Sequence, residues 1–204
     1  ALVEEAGILR FAILANRADH QPEINLAVEQ ADSDSRGIRT SESVRDASGD
    51  VVAFWANVDR EEQDGGRTGP LRVNVGDAIL RDPSTGRIID LPNELRGDGA
   101  EVKIAAWVDQ QGMKGTETLM IRDKMLDITG EDLAFAASTF DQNGSPAVAF
   151  TLTDGGSGRF FALTTNNAPV GSRQRQLGIV LDDNLLSAPN ILQPIRKEGR
   201  ITGR

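Results

Sequence analysis

The stretch QLGIVLDDNLLSAPNI, residues 176–191, followed by GRITG at 199–203, decides how the rest of the chain is read. QLGIVL (176–181) is continuous in apolar character and reads as a strand. Asp182 and Asp183 follow it. Adjacent strand residues point to opposite faces, so two neighbouring carboxylates make a poor acid–base pair, and a turn is the better reading. Ser187-Ala188-Pro189 sets a strand-to-turn geometry, because proline fixes its own φ and restricts Ala188. A short helix is expected within 185–195, and RIT (200–202) begins a last strand.

Upstream, LAFAASTF (133–140) and AVAFTLT (147–153) read as two strands joined by DQNGSP, in which Asn143-Gly144 is a strong hairpin signal. A helix is expected from about Ser157 to Thr165, with Ser157 as its N-cap and Phe160, Phe161 and Leu163 along it. At the N-terminal end, GILRFAILA (7–15) reads as a buried strand. From Pro22, apolar residues at Ile24, Ala27, Val28 and Ala31 have helical spacing.

Residues 32–130 differ in character: polar, glycine-rich, with short β-like islands. These are VVAFWANV (51–58), LRVNV (71–75), AILR (78–81), RIIDL (87–91), VKIAAWV (102–108) and TLMIR (118–122), separated by turn clusters. Both tryptophans, Trp55 and Trp107, fall in such islands and are expected in the core. The order is strand–helix, a long β insertion, then strand–strand–helix–strand. Without the insertion it is β-α-β-β-α-β, the split βαβ arrangement of ferredoxin-like folds. The expected class is therefore α+β: a ferredoxin-like base from 1–36 and 129–204, carrying an inserted, mainly antiparallel β head at 37–128.

Composition narrows the function. With 22 basic against 31 acidic side chains the formal charge is -9, which a phosphate backbone repels, so nucleic acid is not an expected partner. The local basic clusters, RQRQ after Ser172 and Arg196-Lys197, read as solvated faces. The chain has no cysteine, which removes disulfides, thiolate–zinc sites and thiol catalysis together. No stretch approaches the ~20 apolar residues of a membrane span. Both ends read as cuts in a longer protein.

Chemistry-bearing motifs are weak. His20, the single histidine, lies in a polar loop with no partner in sequence and reads as a surface residue. Asp32-Ser33-Asp34-Ser35-Arg36-Gly37 departs from a calcium loop at its fifth position, where Arg36 is no oxygen ligand. Gly155-Gly156-Ser157-Gly158 lacks the lysine of a P-loop and the closing glycine of a nucleophile elbow. No catalytic residue, cofactor or metal site is expected. A hydrolase built on acidic residues would need converging carboxylates in a deep pocket.

The C-terminal third resembles the SecD family at many points. Gly144, Pro146, Ala147 and Val148 fit its Gly-x-Pro-Ala-Val strand; Phe160 and Asn167 fit the following helix. Ile179, Val180, Leu181 and Asp182 fit its Ile-Val-Leu-Asp strand end. Ser187, Ala188, Pro189 and Ile191 fit Ser-Ala-Pro-x-Ile, with Ile201 and Gly203 at the close. The segment LRFAILANR is similar to the family's first periplasmic strand through Leu9, Phe11 and Ile13. Two departures stand out: Asp183-Asn184 replaces a usual glycine after the strand-end aspartate, and the Asn167–Gln176 loop is long. These matched residues read as fold-defining.

The resemblance implies a periplasmic domain of a translocase subunit. It would contact unfolded translocating preprotein and act with SecF and the SecYEG channel through the full-length, membrane-anchored protein. Export would draw on proton flow through membrane helices outside this chain. Phe54, Trp55 and Trp107 are candidate polypeptide contacts on the condition that they are exposed. The alternative is a stand-alone periplasmic binding or assembly module with a ferredoxin-like base.

Overall fold

The structure, a computed structural model, describes residues 8–34, 43–63, 67–140 and 146–202. In chain order the first half holds β1 (Leu9–Leu14), α1 (Gln21–Asp34), β2 (Ser43–Arg45), β3 (Val51–Asn57), β4 (Arg60–Gln63), β5 (Arg67–Leu71), β6 (Leu80–Arg81), β7 (Ile88–Ile89) and α2 (Ala100–Gln110). The second half holds β8 (Glu117–Ile121), β9 (Ile128–Thr129), β10 (Leu133–Phe140), β11 (Pro146–Leu152), α3 (Asp154–Asn166), β12 (Leu177–Leu181), β13 (Asn184–Ser187) and β14 (Glu198–Thr202).

Five of these strands close on themselves. The ladder runs β3-β13-β12-β1-β8 and returns from β8 to β3, giving a small barrel-like ring with β2, β6, β7 and β9 attached. Its ladders are antiparallel except β13 against β3, which is parallel and rests on one register pair, Asn184↔Asn57. Strand alternation then sorts the side chains. Ala12, Leu14, Phe54, Ala56, Met120, Val180 and Leu185 join one core cluster, completed by Ala100, Ile104, Ala105 and Val108 of α2. The alternate residues face outward into two further clusters. Phe11, Ile13, Leu177 and Ile179 pack with Phe160 and Leu163 of α3. Ala53, Trp55 and Leu119 pack with Ile24 and Ala27 of α1. Strands β1 and β12 are thus buried on both faces, which is why their sequences show no polar alternation.

A second sheet, β10-β11-β14, lies beside the ring. Its Phe150 meets Phe11 and Phe160 in a three-ring group with centroids 5.5–6.0 Å apart. The expected α+β class and the strands β1, β3, β8, β10, β11, β12 and β14 are present near their expected positions. The continuous ferredoxin-like sheet is not: β1 pairs with β12, β8 and β9, whereas β11 pairs with β10 and β14. Among the described residues, side chains and not backbone hydrogen bonds join the two sheets. The stretch 37–128, expected as a head, supplies β3 and β8 to the same ring as β1 and β12.

Four local expectations are corrected. VKIAAWV (102–108) belongs to helix α2, because Ala100, Ile104, Ala105 and Val108 bury a face with helical spacing after Gly99 at φ 68. No helix forms in 185–195: Asn184–Ser187 is strand β13, and Pro189 and Pro194 remove donors a helix would need. The N-cap of α3 is Thr153, whose hydroxyl accepts from the Gly156 N–H, so the helix starts three residues before Ser157. LRVNV (71–75) is strand only at Leu71, though Val73 and Val75 are still buried.

Candidate functional site

The family-like residues build the seam between the ring and its connections. Asp182 and Asp183 have φ 47 and 64, and Leu181 pairs with Asn184 around them. This is the two-residue connection whose central residues both need the left-handed region. Its polar groups hold neighbouring strands: Asp182 Oδ1 accepts the Ile8 N–H at 2.8 Å, and the Asp183 carbonyl accepts the Asn57 N–H at 2.7 Å. Ser187 pairs with Ile179, and the Pro189 carbonyl accepts the Leu177 N–H at 2.9 Å, so the Ser-Ala-Pro segment runs beside β12. Asn167 caps α3, donating its Nδ2 to the Leu163 carbonyl at 2.9 Å. Pro146 opens β11 opposite Phe140, a strand start where its missing donor is tolerated. Gly144 and Gly203 lie outside the described residues, as does the second half of the Asp32–Gly37 motif.

The aromatic candidates are mostly interior. Phe54 is 6% exposed and Trp55 4%, so neither meets the exposure condition attached to it. Arg81 stacks over Trp55 at 4.4 Å. Trp107 is half-buried on α2, against the ring's core.

Two surfaces stand out instead. The first is the outer edge of β10, LAFAASTF, which among the described residues ends the second sheet and carries no charge or proline. Phe135 and Phe140 are 59% and 66% exposed there. The other edge, β14, carries Glu198 and Arg200, charges of the kind that discourage further pairing. A bulge near Leu133 leaves Phe135 to Phe140 in regular register with β11.

The second surface is a cleft of about 860 Å³ bounded by the β1–α1 connection, the loop after β5, the loop before α2, residues 173–176 and the Ser-Ala-Pro segment. Arginines from four of these segments line it. Arg175 was expected on a solvated face, yet its side chain is 12% exposed and clamps Asp19 through Nε and Nη2. Those hydrogen bonds hold the Asp19 carboxyl below its ordinary range, against the opposing effect of burial. His20, beside it, is half-buried, not a surface residue. Its Nδ1 accepts the Asn16 N–H at 3.2 Å, and burial pulls its pKa below the ordinary 6.5. Sequence reasoning missed the cleft because its lining comes from widely separated segments.

Among the described residues no three His, Cys, Asp or Glu gather as a metal site. Nor is any helix among them long and apolar enough to cross a membrane.

Comparison with known proteins bears on the C-terminal part of the chain. Residues 106–204 match the family described as SecDF, P1 head subdomain. Through these residues, just under half of the chain, it is similar to the SecD/SecDF family of protein translocase subunits. Protein translocase subunit SecD of Rickettsia bellii is 44% identical over 77 residues, 38% of this chain and 14% of its own. SecD of Elusimicrobium minutum is 40% identical over 83 residues, 40% of this chain and 16% of its own. SecDF of Thermus thermophilus is 44% identical over 68 residues, 33% of this chain and 9% of its own. The match thus spans about a seventh of the first relative's length. A solved structure of SecDF, described as a membrane component that enhances protein export, aligns with 97% of this chain and 86% of its own. Its TM-score is 0.37 at 18% identity, a level that carries no argument about the fold.

Proposed function

We propose that this chain is the extracytoplasmic part of a translocase subunit and holds emerging preprotein, without covalent chemistry, in extended form along the β10 edge. One observation carries the reading: a charge-free edge of eight residues with Phe135 and Phe140 exposed on it. Such an edge offers a row of unpaired N–H and C=O groups, and an incoming strand satisfies them whatever its own side chains. Recognition is therefore sequence-tolerant and weak, and it favours unfolded clients, whose backbone is free. Trp107 is the remaining aromatic candidate for a secondary contact. In this reading the domain faces the far side of the bacterial inner membrane and acts with SecF and the SecYEG channel. The proton-motive force enters through membrane segments outside these residues. No cofactor has a part in it.

The test places a photo-crosslinking side chain at Phe135 or Phe140 in the full-length protein, with Val28 and Val102 on the helices as controls. A signal-bearing polypeptide is supplied unfolded or folded. Capture of the unfolded form from the β10 positions alone is the expected result. Equal capture from the helix positions, or none from β10, would remove the edge as the contact.

A further inference from the structure

The arginine cleft has a charge opposite to that of the molecule. The chain carries -9, yet five guanidinium groups line the cleft against two carboxylates, Asp77 and Asp98. Carboxylates offset part of this positive charge, while Arg72 and Arg96 donate to main-chain carbonyls. Asp19 serves two arginines at once: Arg175 through both Nε and Nη2, and Arg173 at 3.4 Å. Arg173 itself is 48% exposed. Arg72 is exposed and donates its Nε to the Arg60 carbonyl, a neutral acceptor. Arg17 reaches Asp90 at 3.1 Å with side chains 51% and 89% exposed, an ion pair that solvent and salt screen.

The remaining lining suits a peptide. Asn93, Gln174 and Asn190 are exposed amides, each able to donate to and accept from a passing main chain. Leu186, 48% exposed, adds an apolar ledge beside Ser187. The exposed cations Arg17, Arg72 and Arg173 stand on three separate connections. Each presents its own fork for a carboxylate, which fits charges distributed along a chain better than one compact anion.

We infer that this cleft is a binding site for an acidic, extended peptide segment. It is distinct from the β10 edge, which contributes no residue to it, so either site can fail while the other stands. Occupancy is electrostatically driven and weakens with salt.

The experiment titrates the 204-residue chain into a fluorescent 12-residue peptide alternating Glu and Ser, and into its Gln/Ser counterpart, by anisotropy at low and physiological salt. The Glu peptide is expected to bind about tenfold tighter than the Gln peptide, in keeping with charge-assisted hydrogen bonds. Arg72→Glu with Arg173→Glu should remove that preference. The milder Arg72→Gln with Arg173→Gln should reduce it while the circular dichroism stays unchanged. Equal binding of the two peptides, or an unaltered preference in the Gln variant, would overturn the inference. Complete displacement of the Glu peptide by inorganic phosphate at the peptide's own concentration would also do so, assigning the cleft to a compact anion.

Discussion

The carboxylate of Asp19 receives two hydrogen bonds from a single guanidinium, Arg175 Nε at 2.9 Å and Nη2 at 3.0 Å. The remaining Nη1 of Arg175 donates to the Ala168 carbonyl at 3.0 Å. One side chain therefore fastens the β1–α1 connection to the segments on either side of the 169–174 loop, with both partners 15% exposed or less. Replacing Arg175 by Lys loses the fork but keeps the charge. It should cost about 1–2 kcal/mol, read as a shift of the urea midpoint at constant slope. The acid limb gives a second readout. The folded state holds the Asp19 pKa below its ordinary 3.8, so the unfolded state binds the proton first. This stabilisation is present above about pH 3.8 and is lost as pH falls from there through the lower folded value; Asp19→Asn should remove that part of the slope.

His20 titrates in a more accessible window. Burial lowers its folded pKa below 6.5, and its neutral Nδ1 accepts from the Asn16 N–H. Below pH 6.5 the unfolded chain takes up the proton more readily, so stability should decline as pH falls from 6.5 until the folded pKa is reached. His20→Gln should flatten the dependence between pH 7 and 5 in parallel urea titrations; an unchanged slope would show that other groups govern it.

Asp183 occupies a left-handed position, φ 64, where glycine carries no steric penalty. Asp183→Gly gives up the Arg10 contact, a 3.4 Å pair with side chains 39% and 50% exposed, which contributes little. Relief of the backbone should dominate, and the variant should be more stable by about 0.5–1 kcal/mol. A lower urea midpoint would mean that Asp183 has a contact worth more than its strain.

Gly178 fills the ring by having no side chain. A Cβ there would lie 2.2 Å from Met120 Cε and 2.8 Å from Leu14 Cδ1. Met120 can move but is fully buried, so Gly178→Ala should cost about 1–3 kcal/mol by overpacking. Adding Met120→Val should restore part of the loss. Losses that simply sum would mean that the ring's interior is not what resists the methyl group.

The sequence was most legible where one physical rule governed a segment. LRFAIL, apolar but for Arg10, and LGIVL, apolar throughout, both became strands buried on two faces. LAFAASTF and the returning β11 could be paired because the sequence between them, DQNGSP, carries a hairpin signal. VKIAAWV misled because its apolar residues suit a strand as well as a helix, and only the burial of Ala100 and Ile104 a turn apart separates the two. The closure of the ring left no local signal. Strand β3 reaches β8 and β13 across connections that place no pattern on either partner. The candidate surfaces divide in the same way. The β10 edge is visible in its lack of charge, whereas a cleft assembled from arginines at 17, 72, 96, 173 and 175 exists only after folding.

Strand β1 has a consequence for the order of events during synthesis. The N–H of Ile8, just before it, is received by a carboxylate 174 positions later, and its main ladder is with β12. A chain emerging from its N-terminal end can pair that strand with β8 and β9 only once residues 117–129 are available, and can form its main ladder only once residues 177–181 are. Until then LRFAIL stays an open, mostly apolar segment of the growing chain, exposed to wrong pairings.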